Sequence, residues 1–106
     1  MTGEAVSIRL EPTTTSVAMS RIFLGAVLSA AEVDDDTIDD ARVFISDLAT
    51  ALVSEGEDVV IDARFGTGEV RVEGNLPGLV PEAGSLLLGD ALGISDGRWI
   101  LTVPTR

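Results

Sequence analysis

The sequence predicts a two-layer α/β (α+β) sandwich, a mixed and mostly antiparallel sheet covered on one face by helices, in the order β-α-α-β-β-α-β. Three observations carry this reading. The chain opens on strict apolar alternation in AVSIRLEP, two long stretches at helical spacing follow, and DVVIDARF and EVRVEG form a pair of β-branched runs around a Gly-rich turn. A chain of 106 residues is the size of one domain with one core, so 1–106 is expected to be a single unit.

In the first strand Val6, Ile8 and Leu10 alternate with Ser7, Arg9 and Glu11, and Pro12 stops the run. A Thr/Ser cluster able to cap a helix comes next, and Val17, Ile22, Phe23, Ala26, Val27 and Ala30 recur at helical spacing. This predicts a helix from about Ser16 to Ala31, with Gly25 a tolerated weak point. The acidic run DDDTIDDAR lacks the alternate ligands, the turn Gly and the closing Glu of a calcium-binding loop. Its carboxylates instead suit a helix start, where they cap free N–H groups and oppose the helix dipole.

The second helix is expected from about Thr37 to Ser54, with Ile38, Ala41, Phe44, Ile45, Leu48 and Leu52 in one apolar stripe and Asp40, Asp47, Ala51 and Ser54 on roughly the opposite side. SEGED ends it, and the hairpin turns at GTG. NLPGLVPEAG reads as a loop and PEAGSLLLGDALGI as a short helix whose Leu86, Leu87 and Leu88 are expected to be deeply buried. RWILTVP is the final strand, with Trp99 a core or edge anchor, or, if exposed, a binding hot spot.

Composition narrows function by exclusion. There is no Cys and no His, so thiolate and imidazole nucleophile or base chemistry, disulfides and sulfur-ligated metals are ruled out. A net charge of −11 repels nucleic acid and anionic membrane and favours a protein partner with a basic face. No apolar run approaches the roughly 20 residues that cross a bilayer, and the N-terminus lacks signal-peptide features, so a cytoplasmic location is expected. The basic residues are all Arg, a bias that fits a GC-rich bacterial genome. Arg21, Arg42, Arg64 and Arg71 read first as ordinary surface pairs with neighbouring acids.

The stretch VSIRLEPTTTSVAMSRIFLGAVLSAAEVDDDTIDDARVFISDLATALV and the terminal GSLLLGDALGISDGRWILTVP together resemble the histidine-kinase-like (GHKL) ATPase fold, in the form of the short bacterial anti-sigma regulatory factors that act as serine/threonine kinases. In that family the second helix carries a Glu base and, four residues later, an Asn that holds Mg²⁺. Here Asp47 and Ala51 stand at those positions, and Ala cannot ligate the ion. The family's Asp-x-Gly-x-Gly motif, whose Asp accepts from the adenine amino group, is matched best by GNLPG, with Gly74 in place of the Asp, followed by Asn75 and Gly78. Too few residues separate Pro77 from Gly84 for the family's lid, and Gly84 with Gly89 does not make a phosphate loop.

The resemblance therefore implies a degenerate nucleotide site, Asp47, Gly74, Asn75, Gly78 and Gly84 marking its vestige, with no confident catalytic residue, no bound metal and no cofactor. It implies a regulatory module that contacts a sigma factor or an anti-anti-sigma-like protein, with Arg21 and Phe23 as contact residues by analogy and a homodimer among the assemblies of the family. Two alternatives stand beside it. One is an active ATP- and Mg²⁺-dependent kinase using Asp47 as base, with Asp40 or Ser54 as substitute metal ligand. The other is a small acidic structural or inhibitory subunit outside sigma control.

Overall fold

The structure, a computed structural model, describes residues 4–80 and 82–105, apart from the surroundings of Ala83 and Gly84. Its elements are β1 (Ala5–Leu10), α1 (Thr14–Ala30), α2 (Asp35–Ser54), β2 (Val59–Phe65), β3 (Glu69–Asn75), α3 (Glu82–Leu88), a 3-10 turn (Gly89–Ala91), β4 (Leu92–Ser95) and β5 (Arg98–Pro104). The five strands lie in the order β1-β2-β3-β5-β4, each described pair antiparallel. The expected helix-covered sandwich is the observed architecture, with one strand more than the sequence suggested. No described helix is long and apolar enough to cross a membrane.

α2 follows its sequence signals closely. Asp34 is the N-cap and its carboxylate accepts from the Thr37 N–H, with Asp35 and Asp36 in the first turn, so the acidic run starts the helix as its sequence predicts. All six residues of the expected stripe are buried, as is Ala49. The C-terminus closes through Gly56 at φ +73°, with Gly56 N–H donating to the Val53 carbonyl and Glu57 N–H to that of Leu52, a Schellman ending. α1 ends in the same way with Glu32, not Gly, in the left-handed region at φ 58°.

The phase of α1 differs from the expectation. Ser16, Ser20, Leu24, Gly25, Val27 and Leu28 are its buried residues, whereas Ile22, Ala26 and Ala30 are exposed and Val17 and Phe23 half-buried. Helices that pack side by side favour small residues where their backbones approach, and the two serines satisfy themselves locally. Ser20 Oγ donates to the Val17 carbonyl and Ser16 Oγ to that of Glu11, so burial leaves neither hydroxyl orphaned. Thr13 is the N-cap but makes no side-chain capping bond.

The third helical segment also departs from the expectation. It ends at Leu88, and only Leu88 of the Leu triplet is buried, because three consecutive residues on a helix spread over about 200° and cannot share one face. Pro81, the first residue of the expected helix, lies outside the described residues. Leu92–Ser95 leaves the helix to form β4, joined to β5 by Asp96 at φ 52° and Gly97 at φ 74°, the positive-φ pair of a tight hairpin turn.

One face of the sheet meets the helices. Val59, Ile61 and Ala63 of β2, Val70 and Val72 of β3, and Trp99, Leu101 and Val103 of β5 are buried there. Trp99 is fully buried and meets Phe44 of α2 edge-to-face, with ring centroids 5.3 Å apart at 78°, so it is the core anchor and not an exposed contact residue. Its ring lies over Gly74, its cross-strand partner. A Cβ at residue 74 would sit 2.5 Å from the Val60 carbonyl oxygen and 2.6 Å from Trp99 Nε1, distances that real atoms do not adopt.

Gly74→Ala is therefore expected to destabilise the fold by about 1–3 kcal/mol through overpacking. Urea denaturation followed by Trp99 fluorescence measures this directly. An unchanged midpoint would show that β3 and β5 separate at no cost.

Candidate functional site

The positions that the resemblance assigns to a nucleotide are spread over α2, the end of β3 and the loop that follows. Asp47 and Ala51 lie one turn apart on α2, both half-buried, as is Asp40. Ser54 is exposed, and its hydroxyl donates to the Thr50 carbonyl at 2.9 Å, the last of three such back-bonds that also include Ser46 and Thr50. Among the described residues no group of three or more acidic side chains is gathered as for a metal ion.

The GNLPG segment is tied into the fold at each of its three named positions. Gly74 has no room for a side chain, so an adenine-binding Asp could not be placed there without displacing the Trp99 ring. Asn75 acts as an extra rung at the end of the sheet. Its Oδ1 accepts from the Val60 N–H at 3.0 Å and its Nδ2 donates to the Asp58 carbonyl at 2.7 Å. The Gly78 N–H donates to both carboxylate oxygens of Glu55, at 2.8 and 2.9 Å, so this donor is already engaged by an anion of the chain itself. Gly84 falls within α3, and its surroundings lie outside the described residues.

A different surface gathers unpaired charge. On the outer side of the α1/α2 pair, two adjoining grooves of about 280 and 390 Å³ share Arg21 and Arg42. Ala18 and Ile22 line the first; Asp39, Val43, Ser46 and Asp47 line the second. These two arginines are the only cations between Glu11 and Ala63. Arg21 makes no ion pair among the described residues, and Arg42 has only a long contact of 3.7 Å with Asp39.

Arg42 reaches this place because Gly25 is bare. A Cβ at residue 25 would fall 2.7 Å from Arg42 Nη2 and 2.8 Å from its Nε, so the guanidinium lies on the α1 backbone. Beside Arg21, Ile22 is 71% exposed, whereas Phe23 packs inward against the core. Of the two contact residues taken by analogy, Arg21 is exposed in the groove and Phe23 is half-buried, and Ile22 takes the outward apolar position instead of Phe23.

The arrangement offers a pair of guanidinium donors and an apolar shoulder, chemistry for holding a partner's carboxylate rather than for bond making. Sequence reasoning missed Ile22, Gly25, Arg42 and Glu55. The sparse placement of arginines was a usable signal for Arg42, but nothing local marks Glu55 as the acceptor for Gly78.

Because Asn75 satisfies two part-buried backbone groups at once, Asn75→Ala should cost about 1–3 kcal/mol and loosen the start of β2. Amide exchange at Val60 is the measurement; faster exchange there before global unfolding is the expected result.

No protein-family model matches this sequence, and no curated protein matches it. Among solved structures, the crystal structure of the RsbU and RsbW domains of Rv1364c from Mycobacterium tuberculosis is similar, with a TM-score of 0.70 and 22% identity over 97% of this chain and 33% of that one. The chain thus spans about a third of the length of that structure. At this identity the likeness establishes the fold alone, a five-stranded antiparallel sheet covered on one face by helices.

Proposed function

We propose that this chain is a regulatory protein-binding module of the anti-sigma type, working in transcriptional or stress-signalling control in the cytoplasm, with nucleotide handling weakened or lost. The observation that carries the reading is that Gly74, Asn75 and Gly78 are all committed to intramolecular contacts, while Arg21 is free in a groove between α1 and α2. The fold likeness to a chain named for an RsbW domain supports the sigma-regulation setting. Asp47 is then a mark of ancestry at the rim of the partner groove, not a base.

The partner of this reading is a sigma factor or an anti-anti-sigma-like protein presenting a carboxylate to Arg21 and Arg42 and an apolar side chain to Ile22 and Val43. Its remaining surface is basic, to meet the excess of Asp and Glu on the helices. The free guanidinium of Arg21, in a chain of net charge −11, gives the helix side a place where a partner's acid is attracted rather than repelled.

Calorimetry with ATP and ADP, each with and without Mg²⁺, tests the nucleotide half of the proposal. No binding heat is expected up to ~1 mM ligand, corresponding to an affinity weaker than about −4 kcal/mol. A micromolar, magnesium-dependent isotherm would sink the proposal and favour the kinase alternative through Asp47.

The partner half is read from pairwise binding to the sigma factors and anti-anti-sigma proteins of the source bacterium. Arg21→Ala should weaken the complex by roughly 10–100-fold, as expected for loss of a charge-assisted bond at an interface. Arg64→Ala, on the far face of the sheet, should leave it unchanged.

A further inference from the structure

We propose that β4 and the groove between β4 and α3 form a second docking site, for an extended segment of a partner protein that adds to the sheet as a sixth strand and carries alternating apolar residues between basic ends. This surface lies apart from the α1/α2 groove and goes beyond the function proposed above.

Three observations converge on it. First, β4 is the outermost strand next to β5, and among the described residues its other edge is unpaired. Its sequence, LGIS, has none of the charges, prolines or bulges with which sheet edges are normally guarded. Strand addition to such an edge takes its affinity from main-chain hydrogen bonds and its specificity from pockets for alternate side chains.

Second, the pocket is present. Leu79, Leu86, Leu87 and Ile94 are 85%, 80%, 52% and 51% exposed, half of the exposed large apolar side chains among the described residues. A groove of about 460 Å³ runs between the α3 residues Glu82, Ser85 and Leu86 and Ile94 of β4, with Val80 at its end. The register pairs Leu92 with Leu101 and Ile94 with Trp99, so these side chains point to the helix side of the sheet. Every second side chain of an added strand would point the same way and enter the groove.

Third, charge selects the occupant. From Leu76 to Gly97 there is no basic residue, and the acids Asp90 and Asp96 stand just before and just after β4, with Glu82 on the groove wall. A strand with Arg or Lys at both ends is complementary to this frame. A second copy of the same chain is not, because antiparallel pairing of β4 with itself would bring Asp90 of each copy beside Asp96 of the other and join two bodies of net charge −11.

The probe is the peptide Arg-Arg-Val-Ser-Val-Ser-Val-Arg-Arg, titrated into the ¹⁵N-labelled full chain and followed by amide chemical shifts. Its controls are a rearranged peptide of the same composition and the same peptide N-methylated at alternate residues on its pairing edge. The expected result is saturable shifts confined to residues 92–95 and α3, lost with the N-methylated peptide and weakened about tenfold by Ile94→Lys, which gives the edge the guard it lacks. Ile94 is exposed, so the variant should keep its fold; Leu86→Lys, on the other wall, gives an independent reading if it does not.

Equal binding by the rearranged peptide, or shifts spread over the acids of α2, would overturn the proposal by showing mere charge attraction. Concentration-dependent dimerisation that Ile94→Lys abolishes would overturn it in favour of a second copy. Loss of this site would leave the Arg21 groove and the nucleotide test untouched.

Discussion

The contact on which the rest of the structure depends is the seat of Trp99 on Gly74. A buried indole is the largest side chain in this core, and a sheet can hold it flat only where the neighbouring strand offers a bare backbone. Phe44 then closes the ring from above at 5.3 Å, so one residue of β5 joins β3 to α2 and sets the separation of the two layers. The indole N–H is buried without a partner, which costs about 1–3 kcal/mol. The fold tolerates this because apolar burial of a Trp and its aromatic contact outweigh it. Position 74 must therefore be Gly, and no acidic side chain can be placed there without displacing the indole.

Much of this architecture is legible in the sequence where several local signals agree. α2 has a capping Asp, acids in its first turn, an unbroken stripe and a Gly just past its end, and its burial follows the periodicity. α1 is harder because its contact face is built from Ser16, Ser20 and Gly25, which a hydrophobic count assigns to solvent, while Ile22 is left outside. The strand β4 was hidden by the Leu triplet before it, although Asp96-Gly97 is itself a strong hairpin signal. The site divides in the same way. Arg21 is visible as a cation isolated among acids, but the reason for Gly74 lies 25 residues further along the chain in Trp99, and no local reading connects them.

Charge placement distinguishes the open face of the sheet from the helix side and from the sheet's edge. Arg9, Arg64, Arg71 and Arg98 alternate onto that open face. Most are answered there: Arg9 by Asp58 at 2.8 Å, Arg71 by Glu73 at 3.2 Å, and Arg98 by both Asp62 and Glu73 at 3.2 and 3.3 Å. Such exposed pairs add little stability, yet they leave the face close to neutral and already hydrogen-bonded. Away from Arg64, a partner landing there would have to break contacts before making any.

The helices carry the opposite arrangement. Between Glu11 and Ala63 two arginines face a large excess of carboxylates; in the function proposed above, that excess would draw a basic partner and the Arg21 groove would orient it by an acid. The edge at β4 repeats that logic with apolar residues in place of the arginines, set between Asp90 and Asp96. An electrostatically uniform acidic surface would attract basic proteins without register. In the two proposals above, two interruptions of different chemistry, one cationic and one apolar, would supply what the net charge cannot: fixed points for how a partner sits.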